Sequence, residues 1–130
     1  MRAPEPLRCW RVVARPDALD ALDGLEASGA ALRLAPDDVL VITGGGPEPL
    51  VGDPDAIVVT ETGFVGWQLD EAATTTLVRH HVEWDPPTVR PNLAQGLVAG
   101  VPAKLWLRND GSALLVCAAA YAAELQERLA

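Results

Sequence analysis

The stretch Ala103-Lys104-Leu105-Trp106-Leu107-Arg108-Asn109-Asp110-Gly111-Ser112-Ala113-Leu114-Leu115-Val116-Cys117 decides how this chain is read. Two apolar runs flank Asn-Asp-Gly, and an Asp-Gly pair readily supplies the positive φ that tight hairpin turns demand. Residues 103–107 and 113–117 are therefore expected to be antiparallel strands. Upstream, residues 97–101 continue the first run. The expectation is one long strand broken at Pro102, because a proline within a sheet needs a bulge or an edge. Downstream, 118–129 reads as a final amphipathic helix with Tyr121, Leu125 and Leu129 on one face.

Working back toward the N-terminus, 9–14 reads as a first strand. Pro16 suits the first turn of a helix running to Ser28, with Leu19, Leu22 and Leu25 as its inner stripe and Asp17, Asp20 and Asp23 facing water. Gly29 is its expected stop. Segments 31–34 and 39–43 make a hairpin through Ala35-Pro36-Asp37-Asp38. Residues 44–54 are rich in Gly and Pro and read as a loop. Segments 56–60 and 64–69 make a second strand pair turned through Glu61-Thr62-Gly63. Asp70 can cap a helix to about His80. Residues 82–85 read as a short strand, and Pro86, Pro87 and Pro91 keep the next stretch extended. Strands, hairpins and helices mixed this way predict a single α+β domain over residues 1–130: an antiparallel sheet with helices packed on one side, in the manner of ferredoxin-like halves.

The chain has 130 residues, 49% of them hydrophobic, which is enough for one core and fits one domain. Its formal net charge is -8, and the ten basic residues are scattered. Phosphate backbones are bound by clustered Lys and Arg, so nucleic acid and anionic membrane are not expected partners. No apolar run approaches the ~20 residues needed to span a bilayer, and the first seven residues lack a signal-peptide core, so a cytoplasmic protein is expected. Cys9 and Cys117 lie in apolar stretches without CxxC or Cys-His metal spacing and read as buried, reduced thiols.

No catalytic set emerges from the residues. Gly44-Gly45-Gly46 follows a strand, but no Gly-Lys-Ser/Thr comes after it, and Pro47 and Pro49 lack the N–H groups a phosphate loop donates. His80 and His81 are adjacent and point different ways. His81, Glu83 and Asp85 would share one strand face, either as ligands for a divalent metal or as the wet face of a strand whose inner side is Val82 and Trp84; the second reading is preferred. Ser28 and Ser112 have no nucleophile elbow, and nothing supports pairing Cys117 with His81. Asp37, Asp38, Asp53 and Asp55 sit in turns, where Asp serves local hydrogen bonding.

Four Trp stand against one Phe and one Tyr. Trp10, Trp67, Trp84 and Trp106 all fall in expected strands. Trp67 alternates with Val65 and Leu69 and reads as core. Trp106 shares the parity of Lys104, a half-polar face. It is the better candidate for an interface anchor, with Lys104 and Leu97 as companions, since Trp is enriched at binding hot spots.

The chain also resembles a known family. Asp55-Ala56-Ile57-Val58-Val59-Thr60-Glu61-Thr62-Gly63-Phe64-Val65-Gly66-Trp67-Gln68-Leu69, the run from Arg90-Pro91-Asn92-Leu93-Ala94-Gln95-Gly96 through Ala99-Gly100-Val101-Pro102-Ala103-Lys104-Leu105-Trp106-Leu107, and Ala120-Tyr121-Ala122-Ala123-Glu124-Leu125 are similar to the gamma subunit of heterotetrameric sarcosine oxidase. Leu34-Ala35-Pro36-Asp37-Asp38-Val39-Leu40-Val41 is similar to a further segment of the same fold, and the likeness covers about three quarters of the chain. The resemblance implies an aminomethyltransferase-like fold, akin to the glycine cleavage T-protein. It also implies a non-catalytic accessory subunit that binds a larger flavoprotein subunit. The amine oxidation, flavin and folate would belong to the larger subunits, with no cofactor held by this chain. Two alternatives stand beside it. One is a stand-alone folate or small-molecule binding domain using Gln95, Arg90 and Glu83. The other is a homodimeric adaptor pairing through Trp106 and the 94–107 strand as a sheet edge.

Overall fold

The Asn109-Asp110-Gly111 turn forms where the sequence places it. In the computed structural model, which describes residues 1–22, 30–44 and 46–130, strands β8 (Val101–Leu107) and β9 (Ala113–Ala118) run antiparallel with Leu107 opposite Ala113. Gly111 adopts φ 86°. Asp110 accepts hydrogen bonds from the hydroxyl and N–H of Ser112, and these hold its carboxyl below its usual range.

Residues Met1–Pro6 and Gly63–Ala130 form one compact unit, and Leu7–Thr62 form a second. The first unit holds a five-stranded antiparallel sheet. Its order is β1 (Glu5–Pro6), β6 (Phe64–Leu69), β9, β8 and β7 (Asn92–Val98). Helices α2 (Glu71–His81) and α3 (Ala122–Leu129) bury Leu77 and Leu125 against Trp67, Leu105, Leu107 and Leu115 on one face of that sheet. Asp70 caps α2 as expected: its Oδ1 accepts from the Ala73 N–H at 2.8 Å.

The second unit holds a four-stranded antiparallel sheet. Its order is β3 (Ala30–Ala35), β4 (Asp38–Ile42), β2 (Cys9–Val13) and β5 (Ile57–Glu61). Helix α1 (Pro16–Asp20) buries Ala18 and Leu19 on one face, against Val12, Val39 and Val41. The expected continuation of α1 through Asp23, Leu25 and Ser28 to Gly29 lies outside the described residues, as does Gly45. The architecture is mixed α+β with antiparallel sheets, but two sheets replace the single one expected. Among the described residues no helix is long and apolar enough to cross a membrane.

Four expectations are corrected. The 56–60 and 64–69 segments are strands, yet they do not pair with each other: β5 pairs with β2, placing Val58 opposite Val12, and β6 pairs with β9 and β1. The Gly63 carbonyl is held by the Ala119 N–H at 2.8 Å, which binds the start of β6 to the end of β9 and leaves no hairpin at Glu61-Thr62-Gly63.

Second, 97–107 is not one interrupted strand. It folds back at Ala99-Gly100, where φ values of 49° and 80° match the type I′ hairpin requirement. A two-residue turn makes Val98–Val101 the closing hydrogen-bonded pair. Alternation along the ladder then puts Leu97–Pro102 at a non-bonded position, so Pro102 costs β8 no bond to β7. Third, 82–85 is not a strand; Trp84 within it instead caps the end of β7, as described below. Fourth, Ala119–Tyr121 is a 3₁₀ turn, and Tyr121 is exposed. The packed stripe of α3 is Ala122, Leu125 and Leu129.

Candidate binding surfaces

Antiparallel register decides which side chains share a face. Leu97 lies opposite Pro102, Gln95 opposite Lys104, and Leu93 opposite Trp106. Along β8 the alternate residues Val101, Ala103, Leu105 and Leu107 are buried in the core. Leu97, Lys104 and Trp106 therefore stand together on the opposite face of the β7–β8 hairpin. Leu97 is 54% exposed, whereas Lys104 and Trp106 are half-buried. The Lys104 ammonium sits 5.3 Å from the centroid of the Phe64 ring, a cation–π distance that holds the amine over an apolar surface.

β7 is an edge strand, but its edge is not bare. The Trp84 indole N–H donates to the Leu97 carbonyl at 3.0 Å, and the ring lies so close over Gly96 that a Cβ there would sit 2.6 Å from Cε2. The Ala99 N–H donates to the His81 carbonyl, and an Arg128 guanidinium donates to the Ala99 carbonyl, both at 2.8 Å. The end of the strand is thus covered by its own chain, which counts against pairing with a second copy there. Of the four tryptophans, Trp67 is buried as expected and donates to the Arg2 carbonyl; Trp84 is the one whose role was missed, since it lies on no strand.

The polar trio proposed for a small-molecule site does not converge. Glu83 lines a hollow of about 250 Å³ with His80, His81 and Trp84. Arg90 lines a separate open groove of about 570 Å³ with Arg79, Thr74 and Thr75. Gln95 stands exposed on β7 and lines neither. His81, Glu83 and Asp85 do not form a strand face, and among the described residues no group of three or more His, Cys, Asp or Glu is placed to hold a metal ion.

A third hollow, of about 340 Å³, lies in the second unit between Leu22, Val41, Ile42, Pro47 and Leu50. Its one buried hydroxyl, Thr43 Oγ1, has no hydrogen-bond partner among the described residues. Thr43 carries no signal in sequence, because a threonine at a strand end is ordinary.

Both cysteines are free and buried. Burial, with Glu61 nearby, pushes the Cys9 thiol up to about 11, and burial raises Cys117 as well, so both are poor nucleophiles at neutral pH. Asp53 is more than a turn residue. Its Oδ2 accepts from the Arg15 N–H and its Oδ1 from the Asp55 N–H, both at 2.9 Å, joining the 46–56 loop to the start of α1.

These bonds favour the ionised form, so the Asp53 carboxyl titrates below its ordinary 3.8 in the folded chain. A depressed folded-state value gives a stability contribution that is complete above the unfolded-state value and lost as pH falls through the folded one. Asp53→Asn is accordingly expected to lower the melting temperature at neutral pH. The gap from wild type should close as pH drops below about 3.8. A gap that stays constant down to the acid limit would show that the charge is not what matters.

No known protein family, curated protein or solved structure matches the chain.

Proposed function

We propose that the chain is a non-catalytic accessory subunit of a sarcosine oxidase-type, flavin-dependent amine-oxidising complex, acting in the cytoplasm by protein–protein binding. The observation that carries this reading is the outer face of the β7–β8 hairpin, where exposed Leu97 and Pro102, paired with each other, share a face with half-buried Lys104 and Trp106. An exposed aliphatic on the same sheet face as an aromatic anchor is a composition met at interface centres. The same hairpin carries the longest part of the likeness to the sarcosine oxidase gamma subunit. On this reading the α+β arrangement is of the aminomethyltransferase type, and flavin and folate are held by the larger subunits.

The test is co-expression with the large flavoprotein subunit of such an enzyme, followed by co-elution. Leu97→Glu places a charge on that face, next to the hairpin turn. It is expected to weaken the complex by roughly tenfold or more without changing the melting temperature. Failure of the unmodified chain to co-elute would sink the reading.

A second reading, small-molecule binding, is favoured by the 340 Å³ hollow and the unpartnered Thr43 hydroxyl. It takes a small apolar ligand with one polar group, and calorimetric titration with folate and with smaller ligands separates the two readings.

A further inference from the structure

The two sheets have four edges, and three of them carry a device that discourages pairing. Edge β1 is two residues long and ends on Pro6. Edge β3 is broken by a register shift between Arg33 and Ala35. Edge β7 is capped by Trp84. Short strands, prolines, bulges and covering side chains are the recognised means by which natural sheets avoid edge-to-edge association.

Among the described residues the fourth edge, β5, shows none of them. Ile57-Val58-Val59-Thr60-Glu61 pairs with β2 in unbroken register and contains no proline or lysine, and its only charge is at its last position. Among the described residues no strand lies on its other side. Ile57 is 59% exposed and Val59 47% exposed. β-branched side chains on an open edge favour the addition of another strand.

We propose that β5 is a self-association edge that pairs antiparallel with β5 of a second copy. The strand's own sequence argues for this occupant. Continuing the sheet across a two-fold axis requires residues of the same face to lie opposite each other. Of the registers that satisfy this, the one centred on Val59 pairs all five residues. It sets Val59 against Val59, Val58 against Thr60, and Ile57 against Glu61. The strand's only carboxylate therefore meets an aliphatic side chain and not its own copy, and Ile57 and Val59 of both chains join in one apolar row.

A single five-residue strand pair falls below the ~1,200–2,000 Å² of stable interfaces, so the dimer is a reversible one. Two chains of net charge -8 repel at long range, and salt screens that repulsion, so the dimer tightens as ionic strength rises. This inference goes beyond the accessory-subunit reading and uses a different surface; it implies two copies of the chain in one assembly.

Sedimentation velocity of the full chain, from micromolar to millimolar loading and at low and high salt, tests it. A concentration-dependent monomer–dimer equilibrium is expected. Val59→Lys sets two ammonium groups against each other at the axis and should weaken association by about tenfold or more. Leu97→Glu should leave it unchanged. A chain that stays monomeric throughout overturns the proposal. So does a dimer that ignores Val59→Lys, or one abolished by Leu97→Glu. If Val59→Lys does not fold, hydrogen exchange of the wild type decides: amides of residues 57–61 should become more protected as concentration rises, and unchanged protection overturns the proposal.

Discussion

Leu115→Ala is expected to lower the unfolding free energy of the unit that contains it by about 3–5 kcal/mol. Leu115 has no exposed surface and lies at the centre of β9, opposite Trp67 on β6 and Leu105 on β8. Those neighbours cannot easily move into the space a truncation leaves. Trp67 is held by its indole N–H on the Arg2 carbonyl at 2.9 Å, and Leu105 is fixed in the register of β8 with strands on both sides. The transfer term and the cavity term therefore both apply, which places the cost in the upper part of the range for buried leucines. Against a total of about 5–15 kcal/mol for a small domain, this is a large fraction. Urea titration followed by Trp fluorescence reads it as a lower midpoint with little change in slope. Leu50→Ala is the control, since Leu50 is 93% exposed and should shift stability by less than about 0.5 kcal/mol. A Leu115→Ala loss under about 1 kcal/mol would mean that the core face of the five-stranded sheet is loosely packed.

Signals confined to a few neighbouring residues read correctly from the sequence. Asp70 caps α2, Asn109-Asp110-Gly111 turns β8 into β9, and Ala35 through Asp38 joins β3 to β4. Each depends on local backbone chemistry that a short window contains. What failed was choice of partner. Segments 56–60 and 64–69 look like two arms of one hairpin, yet the strands they form hydrogen-bond to β2 and to β9, roughly fifty residues away in each case. No turn residue records that preference. The Ala99-Gly100 turn is hidden in the sequence for a different reason: alanine seldom accepts φ of 49°, so the pair lacks the Asn-Gly or Asp-Gly signature.

The binding surfaces divide along the same line. That Lys104 and Trp106 share a face follows from alternation within one strand. That Leu97 joins them, that Gln95, Arg90 and Glu83 stay apart, and that β5 lies at an open edge all follow from register and strand order. Composition and spacing carry neither.

The second large effect concerns Gly96 and Trp84, which together close the β7 edge. A Cβ on Gly96 would meet Trp84 Cε2, Cζ2 and Nε1 at 2.6, 2.7 and 2.8 Å, and real Cβ contacts are not that short. The indole cannot simply swing aside, because its N–H is anchored on the Leu97 carbonyl one residue away. Gly96→Ala is therefore expected to destabilise by about 1–3 kcal/mol, even though alanine has the better strand entropy. The cost belongs to the pair and not to the glycine. In a Trp84→Ala background the three nearest obstructing atoms are gone, and the same substitution should cost much less. The coupling energy from the double-mutant cycle should then account for most of the single-mutant loss. Trp84→Ala alone frees the Leu97 carbonyl and uncovers the edge, so it should also make the purified chain more prone to associate through β7. If Gly96→Ala costs the same with and without the indole, the ring is not what excludes a side chain at that position. The strain would then lie in the β7 backbone itself.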